Sequence, residues 1–211
     1  MQYKLLIFDF DGTLANTLPF ALSIVDHLAD KYKVQRLDRR ELDTVRRLDA
    51  KTLIKQYKVP TWKLPGIGRY VHRLMSQNIH QIALFEGVDA MLQQLAQAGV
   101  MLAVVSSNSR HNVREVLGPV NVAHIRYFEC GASVFGKHAK LKKVLKRAKV
   151  RPSEALAIGD ELRDFDAARR AHIPFGAVAW GYTHFDVLRE HAPREVFHNV
   201  NEIVGLIQAP R

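Results

Sequence analysis

Residues 3–13 read Tyr3-Lys4-Leu5-Leu6-Ile7-Phe8-Asp9-Phe10-Asp11-Gly12-Thr13, an apolar run that leaves through a turn carrying two carboxylates. Side-chain direction alternates with period two along an extended chain, so Asp9 and Asp11 share one side. Two like charges held side by side repel unless a cation lies between them or one is protonated. The pattern predicts a metal-assisted site in which one carboxylate attacks and the other supplies a proton. A capping aspartate in a strand-to-helix turn accounts for one of the two acids and not for both.

Outward from this stretch, further apolar runs of strand length stand at Val100–Val105, Ile125–Cys130, Ala155–Ile158, Phe175–Ala179 and Val196–Phe197, besides Leu5–Phe10. Helical stripes lie between them: Val88, Met91, Leu92, Leu95 and Ala96, closed by Gly99 at C′; then Val113, Val116 and Leu117; then Ala167, Ala168 and Ala171. Near-continuous apolar strands alternating with helices predict an α/β fold, a Rossmann-like parallel sheet with helices on both faces. Ligands of such sheets bind at the carboxyl ends of the strands.

Residues 16–83 break the alternation. Pro19–Tyr32 reads as a helix with Phe20, Ile24, Val25 and Leu28 inward, and Asp38 with Glu41 reads as a capping box opening the next. Pro60, Pro65, Gly66 and Gly68 punctuate, and Ile67, Val71, Leu74 and Met75 start another helix. No strand pattern appears. The expected organisation is an α/β core of 1–15 and 84–211 with a small all-helical cap, 16–83, inserted after strand one and able to act as a lid.

The chain has 211 residues, 47% hydrophobic and 25% charged, the composition of an ordinary globular protein. The N-terminal apolar run is too short for a signal core or a membrane span, and the expectation is a cytoplasmic protein without membrane association. The single cysteine, Cys130, excludes an intrachain disulfide and reads as a core thiol. The formal charge of +10 is concentrated: residues 137–151 hold Lys137, Lys140, Lys142, Lys143, Lys146, Arg147, Lys149 and Arg151 and no acid. Leu141, Val144, Leu145 and Ala148 give that stretch an apolar stripe, so the lysines form a solvated helix face. No aromatic residue interleaves with them to stack bases, which argues against nucleic acid as a partner. The ten histidines form no metal-ligand spacing; His72, His80 and His184 read as surface or interface residues.

Three further signals fall where the sheet argument requires them. Ser106-Ser107-Asn108 offers hydroxyl and amide donors that suit a phosphate oxygen or an ordinary helix cap. Lys137, after Phe135-Gly136, could supply a fixed positive charge, with Lys140 as a competitor. Gly159-Asp160-Glu161-Leu162-Arg163-Asp164 gathers Asp160, Glu161 and Asp164, poor packing residues but good oxygen ligands for Mg²⁺.

Together, DFDGT, the serine after strand two, the lysine before a helix and GDExxD after strand four resemble the haloacid dehalogenase-like hydrolase superfamily in motif order and across the whole chain. FEGV at 85–88, VVSSN at 104–108 and GDELRDFDAARRAHIP at 159–174 look closest to its phosphoglycolate phosphatase-like branch. The resemblance implies that Asp9 attacks phosphorus to form an aspartyl-phosphate. Asp11 would be the acid and then the base, its pKa raised by desolvation and the neighbouring anion. Asp9, the backbone carbonyl of Asp11, and Asp160 would hold Mg²⁺, with Asp164 and Glu161 orienting them from behind. Ser106 and Lys137 would grip the phosphoryl group, helped by Gly12, Ser107 and Asn108. The family often has proline after this lysine where this chain has His138.

The implied function is Mg²⁺-dependent hydrolysis of a small phosphorylated metabolite, phosphoglycolate-like. A phosphomutase is the nearest alternative, and a module using the basic helix 138–149 to bind anions or nucleic acid is an alternative of another class. A dehalogenase is disfavoured, because carbon–halogen displacement needs no acid such as Asp11. Substrate choice lies in the cap, where Asn16 and Thr17 are best placed to face the site and Arg46, Arg47, Lys51, Arg69 and Arg73 are candidate anion contacts. Oligomeric state has no signature in the sequence.

Overall fold

The computed structural model describes residues 2–131 and 136–208. Six strands, β1 (Leu5–Phe8), β2 (Met101–Val105), β3 (Ile125–Glu129), β4 (Ala155–Gly159), β5 (Phe175–Val178) and β6 (Glu195–Phe197), form one sheet in the order β3-β2-β1-β4-β5-β6. Every pairing is parallel. The order in which strands are added reverses at β1, which has β2 on one side and β4 on the other; this switch point leaves a crevice at the carboxyl ends of β1 and β4.

The sheet is buried on both faces, which is why its strands are continuously apolar rather than alternating. Leu6 and Phe8 of β1, Leu102 and Val104 of β2 and Leu156 and Ile158 of β4 pack with Met91, Leu92 and Leu95 of helix α5 (Val88–Gln97). Their alternate neighbours Leu5, Ile7, Ala103, Val105, Ala155 and Ala157 face α7 (Lys137–Ala148) and α8 (Leu162–Ala171) on the other side. The small stripe Ala167, Ala168 and Ala171 lets α8 lie close to the sheet, while Leu141, Val144 and Leu145 anchor α7. Helix α6 (Arg110–His124) is broken at Gly118, whose φ of 69° precedes Pro119, a residue that cannot continue a regular helix.

Between β1 and α5 the chain adds no strand to the sheet and is built of helices and the loops joining them. It holds α1 (Leu18–Tyr32), α2 (Leu42–Val45), α3 (Ala50–Gln56) and α4 (Leu64–Gln77), with short single-turn helices between them. Its two ends lie side by side: Asn16 N–H donates to the Ala83 carbonyl at 2.9 Å, Phe85 N–H donates to Leu14 at 3.0 Å, and Ala15 and Leu84 form an antiparallel bridge. Phe20, Met75 and Ile82 carry this segment into the core cluster that α5 covers.

Several expectations need correction. β1 ends at Phe8 rather than Phe10, because the carbonyl of Phe10 accepts the N–H groups of Thr13, Leu14 and Ala15, curling the chain away from the sheet. Asp38 caps only a single turn, accepting from Arg40 N at 2.9 Å, and Glu41 does not close a capping box there. α4 begins at Leu64 rather than near Ile67, since Pro65 is favoured in a first turn, where its missing N–H costs nothing. In α1 Phe20 and Ala29 are buried, whereas Ile24, Val25 and Leu28 are half-buried. α3, capped by Asp49 accepting from Thr52 N at 2.7 Å, and α9 (Phe185–Glu190) escaped the sequence reading. A last short helix, α10 (Gly205–Gln208), follows β6. Phe135 lies outside the described residues.

Candidate active site

Asp9 follows β1 directly, and its N–H still joins the sheet by donating to the Ile158 carbonyl at 2.8 Å. That bond aims a side chain only 3% exposed into the crevice. Lys137, opening α7, brings Nζ to 2.8 Å from Asp9 Oδ1 and 2.6 Å from Asp164 Oδ1. Burial drives the Asp9 carboxyl up to about 7 against the opposing pull of Lys137. Burial also works against the charge on Lys137, but Asp164 and Asp9 outweigh it and hold the ammonium above its ordinary value. Lys140, three residues on, goes elsewhere: its Nζ donates to the carbonyls of Ser106 at 2.8 Å and Gly131 at 2.6 Å. Of the two candidate lysines, Lys137 is the one beside Asp9.

Asp160 follows β4 directly and is fully buried. Thr13 Oγ1 donates to its Oδ1 at 2.6 Å and Tyr182 N–H to its Oδ2 at 2.7 Å. A Cβ on Gly12 (φ 77°) or Gly181 would land inside the Asp160 side chain, so only glycine lets both turns close on it. Carboxylate oxygens of Asp9, Asp160 and Asp164 lie within 4.8 Å of one another. Burial lifts the Asp160 carboxyl well above its usual range, with Glu161, Asp164 and Asp9 adding to the effect. Three buried carboxylates against one ammonium leave unbalanced negative charge on hard oxygen donors, the environment that suits Mg²⁺. Asp164 stands closer than expected: it belongs to this carboxylate group and pairs with Lys137. The Asp11 carboxyl lies outside the group, so any part it takes in holding a cation falls to its backbone carbonyl.

Asp11 occupies the other side of the crevice. Asn108 Nδ2 donates to its Oδ1 at 3.0 Å and Oδ2 at 3.2 Å, and Ser106 Oγ stands 3.5 Å from Oδ2. Ser106 Oγ also accepts from Asn108 N at 3.0 Å, tying the turn after β2 into a unit. Burial raises the Asp11 carboxyl, opposed first by the Asn108 bond. The direction is as expected, with desolvation as its cause. α4 lies over this side. Asn108 Nδ2 approaches Met75 Sδ at 3.0 Å, and Asn112 Nδ2 donates to the His72 carbonyl at 2.9 Å. The half-buried His72 imidazole is held below its ordinary pKa by desolvation, partly offset by Asp11.

The other anticipated residues divide. Thr17 is buried and its hydroxyl meets the Tyr182 hydroxyl at 2.8 Å, while Asn16 is exposed. Gly12 shapes the turn, and Ser107 is half-buried with its neighbours Ser106 and Asn108 inside. Glu161 pairs with Arg163 rather than with the carboxylate group. Arg46 is committed to the core: Nε donates to the Tyr182 carbonyl and Nη2 to the Gly181 carbonyl, both at 2.9 Å, while His184 N–H donates back to the Arg46 carbonyl at 2.8 Å. Arg47 pairs with Asp43, and Arg69 and Arg73 are exposed. On α7, Lys143 and Arg147 both bond Glu129. Thr13, Tyr182, Gly181, Arg163 and His72 were not anticipated as site residues. Thr13 was within reach as part of DFDGT; the others come together only through tertiary contact.

The arrangement can hold a dianion. A buried carboxylate faces an ammonium, a cation-suited carboxylate group flanks it, and a second carboxyl with amide and hydroxyl donors stands opposite. Among the described residues no helix is long and apolar enough to cross a membrane. The chain is 29% identical to a phosphoglycolate phosphatase of Synechococcus elongatus over 84% of each sequence. It is 26% identical to phosphoglycolate phosphatase 1 of Pseudomonas aeruginosa, covering 95% of this chain and 78% of that one. Among solved structures, a haloacid dehalogenase-like family hydrolase of Streptococcus pneumoniae superposes with a TM-score of 0.80 at 16% identity, covering 98% of this chain and 99% of that one. CbbY of Rhodobacter sphaeroides, solved with phosphate, gives 0.73 at 19% identity, over 95% and 96%. The family model for haloacid dehalogenase-like hydrolases matches residues 6–178, and the chain belongs to that family.

Proposed function

We propose that this phosphatase of the haloacid dehalogenase-like family hydrolyses a small phosphomonoester of the phosphoglycolate kind, with Mg²⁺ and a covalent phospho-aspartate at Asp9. The observation that carries the reading is the buried Asp9 carboxylate, 2.8 Å from Lys137 Nζ and grouped with Asp160 and Asp164, while Asp11 stands apart on Asn108. In the first step Asp9 Oδ bonds to phosphorus, the phosphorus–ester oxygen bond breaks, and Asp11 gives its proton to the departing oxygen. In the second, Asp11 takes a proton from water as the water oxygen bonds to phosphorus and Asp9 is released. A phosphate dianion repels a carboxylate, so attack needs compensating positive charge; Lys137 supplies one unit. Asp9, Asp160 and Asp164, with the Asp11 carbonyl, would hold Mg²⁺, which supplies the remainder as a Lewis acid. Ser106 and the N–H groups of the turns at Gly12 and Ser107 would orient the transferred oxygens, and Asn108 would steer Asp11.

Residues 16–83 act as a cap over a core of 1–15 and 84–211. Asp9, Ser106, Asn108 and Asp160 are each at most 3% exposed, so a substrate reaches them only when the helical segment moves. The setting is the cytoplasm, where Mg²⁺ and small phosphorylated acids coexist. The test is a screen of phosphomonoesters, including phosphoglycolate, nucleotides and sugar phosphates, with and without Mg²⁺. Release of inorganic phosphate from a small acidic ester, abolished by chelation and by beryllium fluoride, is the expected outcome. Turnover unaffected by chelation, or none on any ester, rejects the reading.

A further inference from the structure

Arg163 differs from every other cation near Asp9. It sits in the first turn of α8, its side chain is 29% exposed, and it pairs with Glu161. A guanidinium carries five N–H donors in a rigid fork and stays charged at any working pH. One of them meets Glu161, and Nε is buried with no partner among the described residues. Lys137, by contrast, is bound on two sides by Asp9 and Asp164.

Arg163 and Lys137 line a cavity of about 500 Å³ whose wall also includes the exposed Lys51 of α3. The acids along it are occupied: Asp166 pairs with Arg169, and Asp49 caps α3. Asp9, Asp11 and Ser106 are not part of this wall. Lys137 lies both on this wall and 2.8 Å from Asp9, so the cavity adjoins the crevice proposed for the transferred phosphoryl group, with Arg163 on the same wall. The field of Arg163 reaches Asp9 and Asp11, holding both carboxyls lower than burial alone would.

We propose that Arg163, with Lys51 on the insertion side, seats a second anionic group of the substrate, a carboxylate carried by the leaving group. This deepens the phosphatase reading and rests on its small acidic substrate. A guanidinium fork matches a planar carboxylate with two parallel bonds, which a neutral hydroxymethyl group in the same place cannot make. The anchor orients the ester for attack without touching phosphorus, so Arg163 determines specificity while Asp9 and Asp11 do the chemistry.

Two inert phosphonates separate the possibilities: phosphonopropionate, which carries the carboxylate, and hydroxypropylphosphonate, which replaces it with an alcohol. Calorimetric titration of the Mg²⁺-loaded protein is expected to show the carboxylate ligand bound roughly 10- to 100-fold more tightly. Arg163→Met should shrink that preference to within about 3-fold, and Arg163→Lys, which keeps the charge but not the fork, should fall between. No preference in the unaltered protein, a preference surviving in Arg163→Met, or equal losses on both ligands would overturn the proposal, the last by placing Arg163 on the phosphoryl group. If Arg163→Met fails to fold by circular dichroism, an undiminished preference in Arg163→Lys overturns it instead. A protein that hydrolyses no ester defeats the phosphatase reading, while this titration still decides the subsite.

Discussion

The carboxyl edge of the sheet and the helical segment above it are built on opposite terms. At the edge, each oxygen of Asp160 has its own donor, Lys137 is held from two sides, and two glycines exist to let backbone close on one carboxylate. In the segment, the buried apolar residues are Phe20, Ala29, Met75 and Ile82, and Trp62 is 77% exposed. An environment that must place charges to within a fraction of an ångström is over-determined by its neighbours. A segment that opens and closes, as the proposed cap would, is held by few contacts drawn from the low-stability end of a fold.

That contrast can be broken by substitution. Asp9→Asn removes the charge of the oxygen proposed to attack and should lower kcat by about ten-thousand-fold or more, while the fold, judged by thermal unfolding, survives. Asp11→Asn comes next: a loss of about a hundred- to ten-thousand-fold on alkyl phosphates, and a much smaller one on aryl phosphates, whose leaving groups need no proton. Equal losses on both would remove Asp11 from the acid role. Gly181→Ala pushes a methyl group into Asp160 and should cost about 1–3 kcal/mol of stability, read as a fall of several degrees in Tm, together with weaker Mg²⁺ binding by titration.

Arg46→Ala probes the seam between the two regions. It removes two charge-assisted bonds to the loop whose Tyr182 N–H holds Asp160, and should lower kcat/KM on the order of 10-fold. Arg47→Ala, which loses an exposed pair with Asp43 and a contact to His184 Nε2 at 3.1 Å, should change it less, by about 3-fold at most. The mildest test is Cys130. Burial pushes its thiol up to about 11, so alkylation at neutral pH should run about a hundred-fold slower than for a free cysteine, with activity intact meanwhile.

The same contrast governs what could be read beforehand. The strands were legible because a sheet covered on both faces forces unbroken apolar runs, and Asp9, Asp11, Ser106, Lys137 and Asp160 stand at the ends of such runs or at a helix start. The choice between Lys137 and Lys140 was not legible. They lie three residues apart on one helix, and only the carbonyls of Ser106 and Gly131, brought there by folding, draw Lys140 away. Tyr182 and Gly181 lie in an irregular stretch whose composition says nothing of Asp160. Arg46 could be read as an anion contact or a solvated face residue, because a surface arginine and an arginine bonded to backbone carbonyls have the same letter. α3 and α9 are short and polar-faced, too brief for periodicity to rise above noise.

The antiparallel bridge at Ala15 and Leu84 has a consequence for descent. Because the outgoing and returning chains are already clasped there, whatever is threaded between them can lengthen, shrink or be exchanged without moving the ends it hangs from. If the inserted segment screens substrates as proposed, a lineage can rewrite that choice by altering a single contiguous stretch of gene, leaving Asp9, Asp11 and Asp160 undisturbed on either side of the clasp.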